Sequence, residues 1–150
     1  MMFRLIIAAT LTLAACTATR AASNCALAIE GNDAMAFDAA ELIVPAGCDE
    51  VTLTLRHTGT LAAQIMGHNW VLAETANVDA LTAATATLDA ADGYLPKNDT
   101  RVIARTALIG GGETTNVTFP VASLRKGGDY TYFCSYPGHW SMMQGKLVIR

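Results

Sequence analysis

Short stretches of the chain alternate apolar and polar residues with period two, and turn-forming residues punctuate them. Val51-Thr-Leu-Thr-Leu55 and Asn116-Val-Thr-Phe119 alternate most cleanly, the pattern of a strand with one buried face. Tyr130-Thr-Tyr-Phe-Cys134 is rich in aromatics, and Lys146-Leu-Val-Ile149 lies at the end of the sequence. Residues 26–29, 42–44, 70–72 and 102–106 are shorter candidates. Gly31-Asn-Asp33, Pro45-Ala-Gly47, Thr58-Gly59, Gly110-Gly-Gly112 and Lys126-Gly-Gly-Asp129 separate them. Many short strands with regular turn signals predict an all-β sandwich or barrel. Only residues 75–91 break the pattern: Val78, Leu81 and Leu88 fall at helical spacing in an Ala-rich stretch, which predicts one helix packed outside the sandwich.

The first fifteen residues form a different kind of segment. Arg4 precedes an apolar run from Leu5 to Ala15, the charged and hydrophobic regions of a secretory signal. The run is shorter than the roughly 20 residues a membrane-spanning helix needs. It ends in Leu13-Ala-Ala-Cys16, which resembles the lipobox of bacterial lipoproteins, where the Cys becomes the acylated first residue. A cut nearer Ala21 or Ala22 would instead discard Cys16, although Arg20 sits unfavourably close to it. The expected organisation is a signal peptide (1–15), a lipidated Cys16 with a tether (16–24), and one domain (25–150). An acylated Cys16 would anchor the domain to a membrane facing the periplasm.

Composition narrows the class. The 150 residues are 52% hydrophobic and 15% charged, too apolar for a disordered chain and about the size of one domain. A formal charge of −3 gives no electrostatic footprint for nucleic acid. Export permits disulfides, and Cys25 and Cys48 sit at the two ends of the N-terminal strand block. Their pairing would stabilise the fold by about 3 kcal/mol on the loop-entropy argument. Cys134 is then left without a partner, and an odd thiol in an exported protein needs an explanation.

The neighbourhood of Cys134 supplies one. In Cys134-Ser-Tyr-Pro-Gly-His139-Trp-Ser-Met-Met143, Pro137-Gly138 forces a turn that can fold His139 back beside Cys134, and Met143 follows before the last strand. Gly67-His68-Asn69 provides a second histidine at the start of another strand. Two His, one Cys and a weak Met make the donor set of a blue-copper site. Thiolate favours Cu(I), imidazole suits both oxidation states, and a long axial thioether holds the geometry between them, so little moves when an electron arrives. Structural zinc sites lack the thioether. Each residue alone is commonplace; the conjunction is specific.

From Cys25 to Arg150 the sequence resembles the azurins, bacterial members of the cupredoxin (type 1 blue copper) family. The matching segments are Glu30-Gly-Asn-Asp33, Met35-Ala-Phe37, Met66-Gly-His-Asn-Trp-Val-Leu72, Tyr94-Leu-Pro-Lys97, Arg101-Val-Ile-Ala104 and Phe133-Cys-Ser-Tyr-Pro-Gly-His139 with Met143. The resemblance implies a Greek-key β-sandwich holding one copper ion and carrying single electrons. It implies His68, Cys134 and His139 as equatorial ligands, Met143 as axial ligand, and the Gly67 carbonyl opposite. Asn69 would tie the two ligand loops together and point its backbone N–H at the Cys134 sulfur. Cys25–Cys48 would be the disulfide and Trp70 the buried core tryptophan. His57 would lie close to the site without ligating, partly buried and titrating. An apolar docking patch around His139 would comprise Leu61, Ile65, Met66, Tyr136, Pro137, Trp140 and Met142, meeting redox proteins such as c-type cytochromes or reductases. Tyr136 stands where the family commonly has Phe, Trp140 where it has a small residue, and Thr58 and Ala62 where it has prolines. These changes leave every ligand intact and bear on partner choice and potential.

Three functions compete on these residues. An electron carrier needs a closed site rigid in both oxidation states. A copper-storage protein would release its ion readily. A copper enzyme needs an open coordination position or a second metal cluster. With only His57, His68 and His139 in the sequence, two of them already assigned, no second cluster can form, and a carrier is expected.

Overall fold

The computed structural model describes residues 24–150. The predicted signal segment, Cys16 and the tether as far as residue 23 lie outside the described residues. Nine strands are present among them: β1 (Asn24–Asn32), β2 (Ala36–Phe37), β3 (Glu41–Val44), β4 (Glu50–His57), β5 (Val71–Glu74), β6 (Val102–Arg105), β7 (Thr114–Pro120), β8 (Tyr130–Phe133) and β9 (Gln144–Ile149). They form two mixed sheets, ordered β2-β1-β4-β7 and β3-β9-β8-β5-β6. The architecture is the expected sandwich; among the described residues the strands form two separate sheets and no closed barrel.

The alternation in β4 places Val51, Leu53 and Leu55 fully inside, with Thr52 and Thr54 on the outer face. Each buried aliphatic side chain contributes about 1.5–3 kcal/mol. Opposite them, the second sheet supplies Leu42, Val44, Leu72, Tyr132 and Leu147. Trp70, fully buried, stacks between Phe119 and Tyr132 at 6.0 and 5.9 Å.

β5 and β8 differ because both of their faces are covered. Leu72, Tyr130 and Tyr132 point into the sandwich, while Val71, Ala73 and Phe133 point outward. The outward set is capped by Val78 and Leu81 of α2 (Val78–Ala84) and by Leu95. This is the external helix of the sequence reading, but shorter than residues 75–91. Single 3-10 turns flank it at Thr75–Asn77 and Thr85–Thr87, and Leu88 is extended (φ −112°, ψ 158°). The hydroxyls of Thr82 and Thr85 donate back to the Val78 and Thr82 carbonyls, local bonds that favour turns over helix continuation.

β1 also departs from its predicted extent. It runs past the apolar residues 26–29 because it pairs in parallel with β4 from Asn24↔Glu50 to Gly31↔His57; the pairing, not the pattern, orders its polar ends. β1 therefore spans the sandwich. At its start Cys25 is disulfide-bonded to Cys48, Cα–Cα 5.8 Å. Its end delivers Gly31 and Asn32 to the opposite pole, roughly 20 Å away at the strand rise.

Candidate metal centre

Three segments converge at that second pole. The first is the end of β1. The second follows α1 (Ala63–Met66), a single helical turn that leads into Gly67, His68 and Asn69. The third is the loop from Cys134 to Met143, closed by the β8–β9 pairing of Phe133 with Gln144. Inside that loop the Cys134 N–H donates to the Met143 carbonyl at 3.0 Å, and the Met143 N–H donates to the His139 carbonyl at 2.8 Å. The Pro137-Gly138 turn, with Gly138 left-handed at φ 83°, lets the chain double back. The sequence signal for this loop was turn chemistry, and the structure uses it so.

The donor atoms of His68, Cys134 and His139 lie within 4.8 Å of one another, and all three residues are buried. Cys134 Sγ stands 4.0 Å from His68 Nδ1, 3.8 Å from His139 Nδ1 and 3.8 Å from the Gly67 carbonyl oxygen. Metal bonds of about 2.0 Å to nitrogen and 2.3 Å to sulfur, spread about 120° apart in a plane, separate nitrogen and sulfur by about 3.8 Å. The donors are therefore spaced to share one ion, and sulfur with two imidazoles is a set that suits copper.

Second contacts fix the protonation of the donors. His68 Nε2 lies 2.8 Å from the Asn32 carbonyl, which can only accept, so the proton sits on Nε2 and Nδ1 keeps its lone pair for a metal. Burial, with repulsion from His57 as a lesser cause, holds the His68 pKa below its usual value. Burial, then the neighbouring His68 and His57, pushes His139 down to about 4. Burial pushes the Cys134 thiol up to about 11 against the pull of the Asn69 and Tyr136 backbone N–H groups. Without metal the site is thus two neutral imidazoles and a thiol, and ion binding must release the thiol proton.

His57 lies at the back of His68, rings stacked with centroids 4.3 Å apart. It is fully rather than partly buried. Its Nε2–H donates to the Met66 carbonyl at 2.8 Å and its Nδ1 accepts from the Gly59 N–H at 3.0 Å, so both nitrogens are engaged and it buttresses a ligand. Gly31 makes room for the same ring: a methyl added there would lie 2.9 Å from His68 Cδ2 and 3.5 Å from Met143 Cε. The buried end of Met143 and the His68 ring therefore both lie against Gly31.

Asn69 joins the ligand segments. Its Oδ1 accepts from the Ser135 N–H at 2.9 Å and from the Ser135 hydroxyl; its Nδ2 contacts Ser135 Oγ at 2.7 Å and donates to the Gly93 carbonyl at 3.3 Å. Ser135, Gly31 and Gly93 carry this support, and sequence reading missed them. A polar residue directly after the Cys and a glycine at a strand end were the only signals available.

On the surface above, Leu61, Ile65 and Met142 expose 37%, 63% and 64% of their area, while Met66, Tyr136 and Pro137 are half-buried. Trp140 is also half-buried, but it packs on the α2-covered cluster. Thr60 and Leu61 are held from below by Asp33, whose carboxylate accepts from the Thr60 N–H at 2.8 Å and the Leu61 N–H at 3.4 Å. The turn signal Gly31-Asn-Asp33 gave no hint of that task.

Known proteins share this arrangement. The profile of the copper binding proteins, plastocyanin/azurin family, matches residues 23–150. Azurin of Bordetella pertussis is 42% identical over 148 residues, covering 99% of each chain. Azurin-1 of Alcaligenes xylosoxydans xylosoxydans is 46% identical over 127 residues, 85% of this chain and 98% of that one. The solved structure of azurin Az-iso2 from Methylomonas sp. strain J superposes with a TM-score of 0.81 at 44% identity, covering 84% of this chain and 98% of that one. With a His-Cys-His cluster spaced for one copper ion inside the matching sandwich, the chain belongs to the plastocyanin/azurin family of copper-binding proteins, electron carriers rather than enzymes.

Proposed function

We propose that Met143 and the Gly67 carbonyl would complete the centre as weaker donors beside His68, Cys134 and His139, and that electrons cross at His139 into partners docked on the patch around it. When bound, copper supplies a one-electron Cu(II)/Cu(I) couple. The protein holds the donors in advance: Asn32 and His57 orient His68, Asn69 and Ser135 orient Cys134, and the Met143 and His139 backbone bonds close the loop. The observation that carries the reading is the spacing of the His68, Cys134 and His139 donors inside a buried frame of hydrogen bonds. Cys134 and Met143 are wholly inaccessible, whereas His139 keeps 4% of its surface and no protein group bonds its Nε2 among the described residues. It is the ligand through which a docked partner comes nearest.

Exposed apolar side chains at Leu61, Ile65 and Met142, beside Met66, Tyr136, Pro137 and the edge of Trp140, suit the small, transient interface of a redox encounter. Partners of the c-type cytochrome or reductase class fit a periplasmic carrier. The signal segment and Leu13-Ala-Ala-Cys16 support export and a lipid anchor, with residues 16–24 as the tether and 25–150 as the working domain.

Met143→Leu tests the axial assignment. A lone-pair donor stabilises the more highly charged ion more, so its loss should raise the reduction potential while the blue absorption persists; an unchanged potential overturns it. Met142→Lys should slow reduction by a c-type cytochrome without altering the spectrum. Cys16→Ala should release the protein from the membrane fraction, and unchanged fractionation would overturn the anchor.

A further inference from the structure

The two residues after Cys134 each reach back to the segment that carries Gly67 and His68. Ser135 makes the buried tie to Asn69. Tyr136 makes another on the solvent side: its hydroxyl donates to the Gln64 carbonyl at 2.7 Å. The ring is held on three sides. Its centroid lies 4.4 Å from that of His139 with the planes 31° apart. Tyr94 stands edge-on at 5.1 Å. A methyl added at Gly67 would fall 3.1 Å from Tyr136 Cδ2, so the ring covers the Gly67 backbone.

The carbonyl it binds belongs to α1, which has little order of its own. α1 is four residues long, has no side-chain cap and buries none of its residues. One helical turn pays the nucleation cost without the propagation that repays it. Its flanks are tied to the scaffold, Leu61 by the Gly111 N–H at 2.8 Å and Met66 by His57. Among the described residues, only Tyr136 bonds α1 to the loop that carries Cys134 and His139.

We infer that Tyr136 is a positioning residue for the copper centre, its hydroxyl fixing α1 and the Gly67 carbonyl relative to Cys134 while its ring sets the plane of His139. One side chain then couples the docking surface, which includes Ile65 and Met66 of α1, to two ligands. The ring contacts survive replacement by Phe; the tie to Gln64 does not, so the hydroxyl can be tested alone.

The variant is Tyr136→Phe. The tie is a partly exposed neutral hydrogen bond, so its loss should speed amide exchange at residues 63–67 of the metal-free protein by roughly 2- to 10-fold. Copper release to a chelator should quicken by a similar factor, and the reduction potential should shift, with thermal unfolding of the metal-free protein nearly unchanged. Tyr94→Phe, which removes a hydroxyl from the same aromatic cluster, should change none of these. Unchanged amide exchange overturns the inference. So does faster exchange with copper release and potential both unchanged, which would reduce Tyr136 to a structural tie. Should the Phe variant not fold, the unaltered copper(I) protein decides. A slowly exchanging Tyr136 hydroxyl proton with a cross-peak to Gln64 or Ile65 upholds the bond, and a freely exchanging one overturns it. The inference rests on the proposed Gly67 contact only for the potential. Amide exchange and copper release do not depend on that contact: if both quicken while the potential stays unchanged, the Gly67 reading fails and the positioning role stands, so the two failures are distinguishable.

Discussion

At the start of β1, Cys25 is held by a covalent bond to Cys48; six residues on, Gly31 lies against the ring of His68 in a pole held by hydrogen bonds and packing alone. The first pole is covalently closed, and a disulfide across a separation of 23 residues stabilises the fold by restricting the unfolded chain. The second must present donors that a metal can enter and an electron can leave. Its order comes from groups that do not ligate: Asn32 on His68, His57 behind it, Asn69 and Ser135 beneath Cys134. A rigid end can be stapled, whereas a functional end has to be preorganised while leaving its donor atoms free.

The largest effect should come from the metal pole. Cys134→Ser removes the thiolate of the centre, so the intense visible absorption should vanish and copper affinity should fall by orders of magnitude, read by spectrum and titration, while the metal-free sandwich still folds. At the staple pole, the double change Cys25→Ser with Cys48→Ser should lower unfolding free energy by about 3 kcal/mol in a denaturant titration and leave the blue spectrum intact. A changed spectrum would mean the poles are not independent.

Asn69→Leu should cost about 2 kcal/mol, because it strands the buried Ser135 N–H, and should also quicken copper release; a stability change with no change in release would confine Asn69 to the fold. Acid should distinguish the poles next. His139 titrates at about 4 in the folded metal-free protein against 6.5 ordinarily, so between these values the unfolded chain binds more protons than the folded one. Stability should then be complete above about pH 6.5 and decline as pH falls toward 4, in thermal melts of the metal-free protein; a flat profile would break the account. Far from both poles, Thr54→Val on the outer face of β4 should change stability by less than about 0.5 kcal/mol and leave the spectrum unchanged.

The sandwich was legible because β4 and β7 carry period-two alternation, while β8 and β9 read as strands from their aromatic and aliphatic runs. The two-residue β2 was not, since it exists only by pairing with the end of β1. The helix was legible in kind and overdrawn in length: Val78 and Leu81 pack as helical neighbours, while Leu88 is extended beyond the 3-10 turn that follows the helix. At the centre, residue types that are soft metal donors announced His68, Cys134 and His139. His57 could be placed near the site but not characterised, since its two bonds, to Met66 and Gly59, depend on a loop with no pattern of its own.

The sequence by itself determined the strand periodicity, the staple pair and the identity of the copper donors, because each is written in residue type and local spacing. Only the tertiary structure decided how those donors are held. Gly31 matters because a parallel pairing with β4 brings it under His68, Ser135 because Asn69 lies across from it, and Tyr136 because α1 offers it a carbonyl. These are contacts between segments separated in sequence by tens of residues, and no local pattern encodes the distance that folding removes.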